Sequence, residues 1–331
     1  MARATPASGE DSLIARYFRP LATDPGAFQL DDDAAVLKAL GDDIVVTTDA
    51  IVEGVHFLPD DPPDTIARKA LRVNLSDLAA KGATPAGFVL TLALRNADEA
   101  WLKPFAAALG EDAKQFGCPL LGGDTVSTPG PQIISVTAFG RVPAGKMVHR
   151  SGARPGERVM VTGTIGDAAL GLAVLKGGKV HAATSDAAAR SMLVGRYRVP
   201  QPRVKLAEIV RAHASAAMDV SDGLAGDLAK LCGVSGVSAA IDLASIPLSD
   251  AAGDLVSRGV VGVEALIAGG DDYEILCTVP KARAAALTAE AGRAGVALTM
   301  IGTIADGAGA PRFLDAQGNE MRLLRLSYSH F

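Results

Sequence analysis

Aromatic residues and cysteines are scarce in this chain. Its 331 residues include nine Phe, four Tyr and one Trp, 4% in all, although 49% of the residues are hydrophobic. The core must therefore be built mostly from Ala, Val, Leu and Ile. The three cysteines, Cys118, Cys232 and Cys277, are far apart and lack a metal-ligand spacing, which favours reduced, buried thiols.

An excess of positive charge and long apolar runs are also missing. The formal net charge is -5, whereas a nucleic-acid binder normally has a basic face. No uninterrupted apolar run approaches the length that spans a bilayer, and residues 1–6 lead into no signal-like segment. We therefore expect a cytoplasmic protein with no nucleic-acid partner and no membrane partner.

Several well-known catalytic motifs are absent. Gly145-Lys146 lacks the upstream glycine of a phosphate-binding P-loop, and the five histidines show no zinc-like spacing. The sequence has no Gly-x-Ser-x-Gly nucleophile elbow. The segment Gly163-Thr164-Ile165-Gly166 lacks the spacing of a dinucleotide loop, so we interpret it as a structural turn.

The length and the alternating patterns predict two mixed α/β domains. A polar segment at 143–156, containing Gly and Pro, separates them, and we assign the domains to residues 1–145 and 146–331. The predicted strands are 44–48, 88–94, 133–142, 158–162 and 273–279. The predicted helices are 64–82, 97–116, 167–175, 204–214 and 223–231.

Short acidic motifs stand beside glycines and apolar runs throughout the chain. They are Asp31-Asp32-Asp33, Thr47-Thr48-Asp49, Asn74-Leu75-Ser76-Asp77, Gly122-Gly123-Asp124, Asp219-Val220-Ser221-Asp222-Gly223 and Gly269-Gly270-Asp271-Asp272. Carboxylate oxygens on turns suit Mg²⁺, which proteins usually hold through one or two carboxylates and substrate phosphates. The pattern therefore predicts phosphoryl transfer.

Each motif alone also has a structural explanation. Asp222 could cap the following helix, and Asp124 and Asp271 could be turn residues. Asp77 lies near a predicted helix C-terminus, where its charge opposes the helix dipole, and either a metal ion or Lys81 one turn later could compensate it. Six coincidences together favour a functional site.

Taken together, the motifs resemble those of the thiamine-monophosphate kinase family. The resemblance runs from Ser12-Leu13-Ile14 to Tyr328-Ser329-His330-Phe331 and includes Glu53-Gly54-Val55-His56-Phe57 and Arg150-Ser151-Gly152-Ala153. It implies the two-domain fold shared with aminoimidazole ribonucleotide synthetase. In that fold an N-terminal α/β domain binds ATP and Mg²⁺ and dimerises through its sheet, and a C-terminal α/β domain completes the ATP, Mg²⁺ and substrate site.

The implied reaction phosphorylates thiamine monophosphate (TMP) with ATP, giving thiamine diphosphate (TDP) and ADP, the final step of TDP biosynthesis. By this resemblance the ligands of several Mg²⁺ ions are Asp33, Thr47, Thr48, Asp49, Asp77, Asp124, Asp219 and Asp222. The ATP contacts are Gly123, Asp124, Arg150 and Ser221, and the TMP contacts are His56, Asp271 and Tyr328. No general base is expected, because the accepting phosphate oxygen is already ionised at neutral pH.

Two motifs depart from the family pattern. The family usually has Gly-Asp-Asp where this chain has Asp31-Asp32-Asp33, so a Cβ and a charge are added at that turn. It usually has Gly-Gly-Glu-Asp where this chain has Gly269-Gly270-Asp271-Asp272, so the acid at 271 is one methylene shorter.

Three alternatives remain at this point. The chain could be another ATP-dependent enzyme of the same fold that forms an acyl-phosphate-like or imidate-phosphate intermediate. Selenophosphate synthetase is disfavoured among these, because no cysteine precedes Cys118. The chain could also be a non-catalytic sensor of ATP and Mg²⁺, or the acids could be purely structural.

Overall fold

The computed structural model describes residues 13–30, 37–321, 323 and 327. The chain divides into two compact units, both mixed α/β, which confirms the predicted fold class. The first unit comprises the chain up to Leu75 and Pro85–Pro143, and the second comprises Ser76–Thr84 and the chain from Ala144 onward. No helix within the described ranges is both long and apolar enough to cross a membrane.

A four-stranded sheet forms the frame of the first unit. Its strands are β1 (Asp43–Val52), β2 (Thr84–Leu94), β3 (Leu120–Ser127) and β4 (Ile133–Val142), its helices are α1 (Pro63–Ala80) and α2 (Glu99–Phe116), and short helical turns occupy Ile14–Phe18, Arg19–Leu21 and Pro25–Leu30. The strand order is β1-β4-β2-β3, with β1 antiparallel to β4 and β2 parallel to β3. Strands β1 and β3 are therefore the two edges.

A buried ion pair joins the two helices of this unit. Asp112 on α2 is fully buried and accepts hydrogen bonds from Arg72 Nε at 2.5 Å and from Arg68 Nη1 at 2.5 Å, both on α1. Helix α2 begins where the Asp98 carboxylate accepts from Ala100 N. It ends at Gly117, whose φ of 62° suits a residue without a Cβ.

A six-stranded sheet forms the frame of the second unit, in the order β10-β7-β9-β5-β8-β6. Its strands are β5 (Arg158–Thr162), β6 (Ala216–Asp219), β7 (Ser238–Asp242), β8 (Ile275–Val279), β9 (Leu298–Ala305) and β10 (Arg312–Leu314). Its helices are α3 (Asp167–Lys176), α4 (Lys179–Ala183), α5 (Ala187–Arg198), α6 (Ala207–His213), α7 (Leu224–Ser235), α8 (Asp250–Ser257), α9 (Val263–Ile267) and α10 (Lys281–Arg293), with helical turns at Val204–Leu206 and Leu243–Ser245. Leu224 and Leu228 of α7 lie in one buried apolar cluster with Val161 of β5 and Met218 of β6.

The element predictions hold best where the pattern is long or bounded by turns. The strands predicted over 133–142 and 158–162 have those bounds in the structure. The helix predicted over 204–214 is wrong in detail, because a 3₁₀ turn at Val204–Leu206 precedes α6. The strand predicted from residue 273 begins only at Ile275, since Tyr273 has a φ of 51°, outside the extended region.

Candidate active site

The first acidic motif in the described residues lies inside strand β1. The strand was expected to end at Asp49, but it continues to Val52 because every residue up to there pairs with β4. Thr48 Oγ1 donates to Val136 O at 3.2 Å and accepts from Thr137 Oγ1 at 2.9 Å. Thr47 and Asp49 point to the opposite face from Thr48, since side chains alternate along a strand.

The motif Gly122-Gly123-Asp124 also lies within a strand, β3, rather than in a turn. Gly123 is paired with Leu90 of β2, and a Cβ built on it would lie only 2.0 Å from Leu90 O. The glycine is therefore required by the close approach of two backbones. An apolar recess lined by Phe18, Leu92 and others runs beside Gly123 and Asp124, the usual form of a small-molecule site.

Strand order separates two of the predicted metal ligands. Asp49 lies on edge strand β1 and Asp124 on edge strand β3, with β4 and β2 between them. Neighbouring strands lie about 4.7 Å apart, so β1 and β3, three positions apart in the sheet, are separated by about 14 Å. One copy of this sheet therefore does not bring Asp49 and Asp124 together.

His56 follows β1 in a tight turn. Its Nδ1 accepts a hydrogen bond from Val52 N at 3.0 Å, so a neutral ring carries its proton on Nε2. The Lys69 side chain, almost fully buried on α1, donates from Nζ to His56 O at 2.8 Å. Sequence reasoning gave Lys69 no part in the site, although a lysine on an apolar helix face was a visible signal.

In the second unit, which includes the C-terminal end of α1 from Ser76, Asp77 and Asp219 act electrostatically on the same ammonium group, that of Lys81. Lys81 Nζ donates to Ala217 O at 2.7 Å. Burial is the largest influence on the pKa of Lys81 and lowers it; the charge of Arg150 lowers it further, and Asp219 and Asp77 act in the opposite direction. The interpretation that Lys81 compensates Asp77 is therefore consistent with the structure.

The loop at residues 221–223 is organised by an acid that the sequence analysis missed. Asp227, on α7, is fully buried and its Oδ2 accepts from Ser221 N and Asp222 N at 3.0 Å and from Gly223 N at 3.2 Å. The structural alternative for Asp222, that it caps this helix, does not hold, because the N-cap is Gly223 and has no side-chain cap hydrogen bond. An acid among the apolar residues of α7 was the signal that could have identified Asp227.

Lys230 links this buried acid to the predicted metal ligand. Its Nζ lies 2.5 Å from Asp222 Oδ2 and 2.9 Å from Asp227 Oδ1. Burial raises the pKa of Asp227, while its hydrogen bond and charge interaction with Lys230 lower it. An ammonium group therefore balances both carboxylates.

The segment from Gly269 to Tyr273 packs on the same loop. Asp271 N donates to Ser221 O at 2.8 Å, and a Cβ on Gly270 would lie 2.5 Å from Ser221 O. Asp271 and Tyr273 have φ values of 71° and 51°, and Tyr273 Oη donates to Asp271 Oδ1 at 3.2 Å. The structure thus places Ser221 and Asp271, predicted for ATP and TMP respectively, side by side.

The three acids of the first acidic motif and one predicted TMP contact are not among the described residues. They are Asp31, Asp32, Asp33 and Tyr328. Arg150 is exposed in the second unit. The Gly163 to Gly166 segment is a turn, with φ values of 59° and 88° at its two glycines, as the sequence indicated.

The donor chemistry of the predicted metal ligands fits Mg²⁺. They offer carboxylate, hydroxyl and carbonyl oxygens, which hard cations prefer, and neither imidazole nor thiolate. Within the described residues no three His, Cys, Asp or Glu side chains are grouped closely enough to hold an ion. The ligand set therefore fits by chemistry, and its assembly stays a prediction.

Comparison with known proteins assigns the two units to one class. The model of the AIR synthase related protein N-terminal domain matches residues 31–142, and that of the C-terminal domain matches residues 154–312. The chain is therefore a two-domain protein of the AIR synthase related class.

Three relatives narrow this class. Thiamine-monophosphate kinase of Caulobacter vibrioides is 45% identical over 323 residues, covering 96% of this chain and 89% of the relative. A crystal structure of thiamine-monophosphate kinase from Stenotrophomonas maltophilia has a TM-score of 0.81 at 38% identity, covering 94% of this chain and 96% of that one. The structure of AaThiL complexed with AMPPCP and TMP has a TM-score of 0.77 at 29% identity and covers 91% of both chains. This chain belongs to the thiamine-monophosphate kinase family.

Proposed function

We propose that this chain transfers the γ-phosphoryl group of ATP to TMP, forming TDP and ADP. The bond between the γ-phosphorus and the β,γ-bridging oxygen breaks, and that phosphorus forms a bond to a phosphate oxygen of TMP. The observation that carries the proposal is the end-to-end relation to thiamine-monophosphate kinases. AaThiL, solved with AMPPCP and TMP, supports the same pair of substrates.

We assign ATP binding to Gly123 and Asp124 in the first unit and to Arg150 and Ser221 in the second. Gly123 is exposed, so its backbone is accessible to a ligand. Arg150 adds a guanidinium, whose fork of N–H donors matches phosphate geometry. The hydrogen bonds of Asp227 fix the amides of residues 221–223, so the backbone that carries Ser221 is held in place.

We assign TMP binding to His56, Asp271 and Tyr328. The hydrogen bond from Val52 N occupies Nδ1 of His56, so the neutral ring offers an N–H donor rather than a base. This supports direct in-line transfer without a general base, in which positioning and charge neutralisation lower the barrier. A phosphorylated form of the protein trapped during turnover would contradict direct transfer.

Mg²⁺ is the metal that the proposal requires. When bound, it would supply positive charge to the transferring phosphoryl group and hold the two phosphates in line. Its ligands remain those predicted from the sequence, at Asp33, Thr47, Thr48, Asp49, Asp77, Asp124, Asp219 and Asp222. Lys81 and Lys230 balance the charge of the acids in the second unit.

A homodimer and a cytoplasmic location belong to the same proposal. The separation of Asp49 and Asp124 supports the dimer, because a partner copy joined through the sheet would offer a second β3 edge. The three cysteines are free and buried, which is consistent with a reducing compartment.

Product analysis tests the proposed function against its alternatives. Incubation with ATP, Mg²⁺ and TMP should release ADP and form TDP, whereas a non-catalytic sensor would bind ATP without releasing ADP. Another ATP-dependent enzyme of this fold would form no TDP and would consume ATP only with a different acceptor. Folded protein that yields only background TDP refutes the proposal.

A further inference from the structure

Glu274 is a fully buried carboxylate that the proposed chemistry does not use. It stands between the Gly269 to Tyr273 segment and β8. Its Oε2 accepts from Arg203 Nε at 2.6 Å and from Thr162 Oγ1 at 2.6 Å, and its Oε1 accepts from Arg196 Nη2 at 2.7 Å. Arg203 also pairs with Oε1 through Nη2. Both carboxylate oxygens are thus held by charged groups.

This network extends into the neighbouring segment. Arg196 Nη2 also donates to Asp272 O at 3.3 Å, so one guanidinium joins the Glu274 carboxylate to the Asp272 backbone. The Asp272 carboxylate is buried as well and accepts from Gly166 N at 2.8 Å. Side chains 272 and 274 therefore point into the protein and anchor the segment from within.

The anchored backbone adopts a conformation that needs such support. Asp271 and Tyr273, on either side of Asp272, both have φ in the left-handed region, which residues with a Cβ rarely occupy. Val220 N donates to Glu274 O at 2.8 Å, and Tyr273 N donates to Val220 O at 2.8 Å. With the inner side chains fixed, the Asp271 side chain stands at a partly exposed position.

We infer that Glu274, together with Arg196 and Arg203, is a positioning residue for the acceptor side of the reaction. The network holds Asp271 and Tyr273 in their left-handed conformations, so that the Asp271 carboxylate meets the cationic thiamine end of TMP. The inference rests on the proposed function. It predicts that disturbing the network weakens TMP use far more than ATP use.

The test is steady-state kinetics of Glu274→Gln, which keeps the side-chain volume but replaces one charged acceptor oxygen with an N–H donor facing an arginine. The KM for TMP should rise by about tenfold or more, the loss expected when a contacting group is misplaced by about an ångström. The KM for ATP should stay within about twofold of wild type, since the Ser221 amide keeps its hydrogen bond to the buried Asp227 carboxylate in this variant. Arg203→Lys, which keeps the charge, should fall between wild type and Glu274→Gln.

Asp112→Asn is the matched control. It removes the charge of another fully buried carboxylate that two arginines hold, but this carboxylate is in the first unit, on α2. It should lower the melting temperature without a selective change in the KM for TMP. If Glu274→Gln folds poorly, Arg196→Lys takes its place, with the same selective rise in the KM for TMP expected.

The experiment distinguishes a failure of the proposed function from a failure of the inference about Glu274. Wild-type protein that forms no TDP refutes the proposed function. If wild type is active but the Glu274 and Arg196 variants only melt earlier, as Asp112→Asn should, or raise both KM values equally, Glu274 is a structural residue and the inference is wrong.

Discussion

The two adjacent glycines of β3 offer a matched pair of substitutions. A Cβ on Gly123 would lie 2.0 Å from Leu90 O, whereas a Cβ on Gly122 would have no atom within 4 Å. Neither glycine needs a left-handed conformation. Gly123→Ala therefore tests close backbone approach, and Gly122→Ala controls for the added methyl group.

The size of the effect follows from the displacement that the methyl group requires. Leu90 O must retreat by about 1.4 Å to reach ordinary van der Waals contact. Overpacking typically costs about 1–3 kcal/mol, and each backbone hydrogen bond lost between β2 and β3 adds about 1 kcal/mol. We expect about 3 kcal/mol in the free energy of unfolding, or about 10 °C in melting temperature.

Thermal melting by circular dichroism and ATP kinetics measure the two consequences. Gly123→Ala should melt earlier and raise the KM for ATP by about tenfold, because the proposed ATP contact moves with its strand. Gly122→Ala should match wild type within about 0.5 kcal/mol. If the two variants melt within about 2 °C of each other, the close-approach reasoning is wrong.

Three further predictions concern single side chains. Lys230→Met removes a partly exposed ion pair and so frees the Asp222 carboxylate. The Mg²⁺ concentration for half-maximal activity should therefore fall by up to about fivefold, and an unchanged Mg²⁺ titration would contradict this prediction. Burial raises the pKa of Asp272 well above its ordinary value, so its contribution to stability is present at low pH and is lost as the pH rises toward that pKa. In urea melts at a series of pH values, the free energy of unfolding should fall above about pH 4 in the wild type and should fall less in Asp272→Asn. The same pH dependence in both proteins would refute this role of Asp272. Burial raises the pKa of Cys118 and Cys277 to about 12, so the native thiols should resist alkylation at neutral pH and react on denaturation.

Local pattern and tertiary contact account for what the sequence did and did not predict. The strand at Ile133–Val142 was predictable because β-branched and apolar residues fill a run of ordinary strand length. Strand β3 was missed because Gly122-Gly123-Asp124 has turn chemistry, whereas the glycine at 123 is required by a neighbouring strand. Which strand lies beside Gly123 cannot be read from its own segment.

The candidate site could likewise be predicted only in part from the sequence. The acidic motifs were recognisable because their order and spacing resemble a family. The supporting roles of Asp227, Lys230 and Glu274 were not recognisable. The role of Asp227 depends on backbone N–H groups, that of Lys230 on two nearby carboxylates, and that of Glu274 on partners distant in sequence. Glu274, for example, meets Thr162 across 112 residues. A charged residue becomes a buried anchor only when the fold brings its counter-charges to it.

The central claim is direct phosphoryl transfer from ATP to TMP, and the fate of the γ-phosphate tests it most directly. With γ-labelled ATP, Mg²⁺ and TMP, the account predicts label in the terminal phosphate of TDP, one per ADP released, and none on the protein during turnover. Label recovered as inorganic phosphate without TDP, or attached to the protein, would contradict the account.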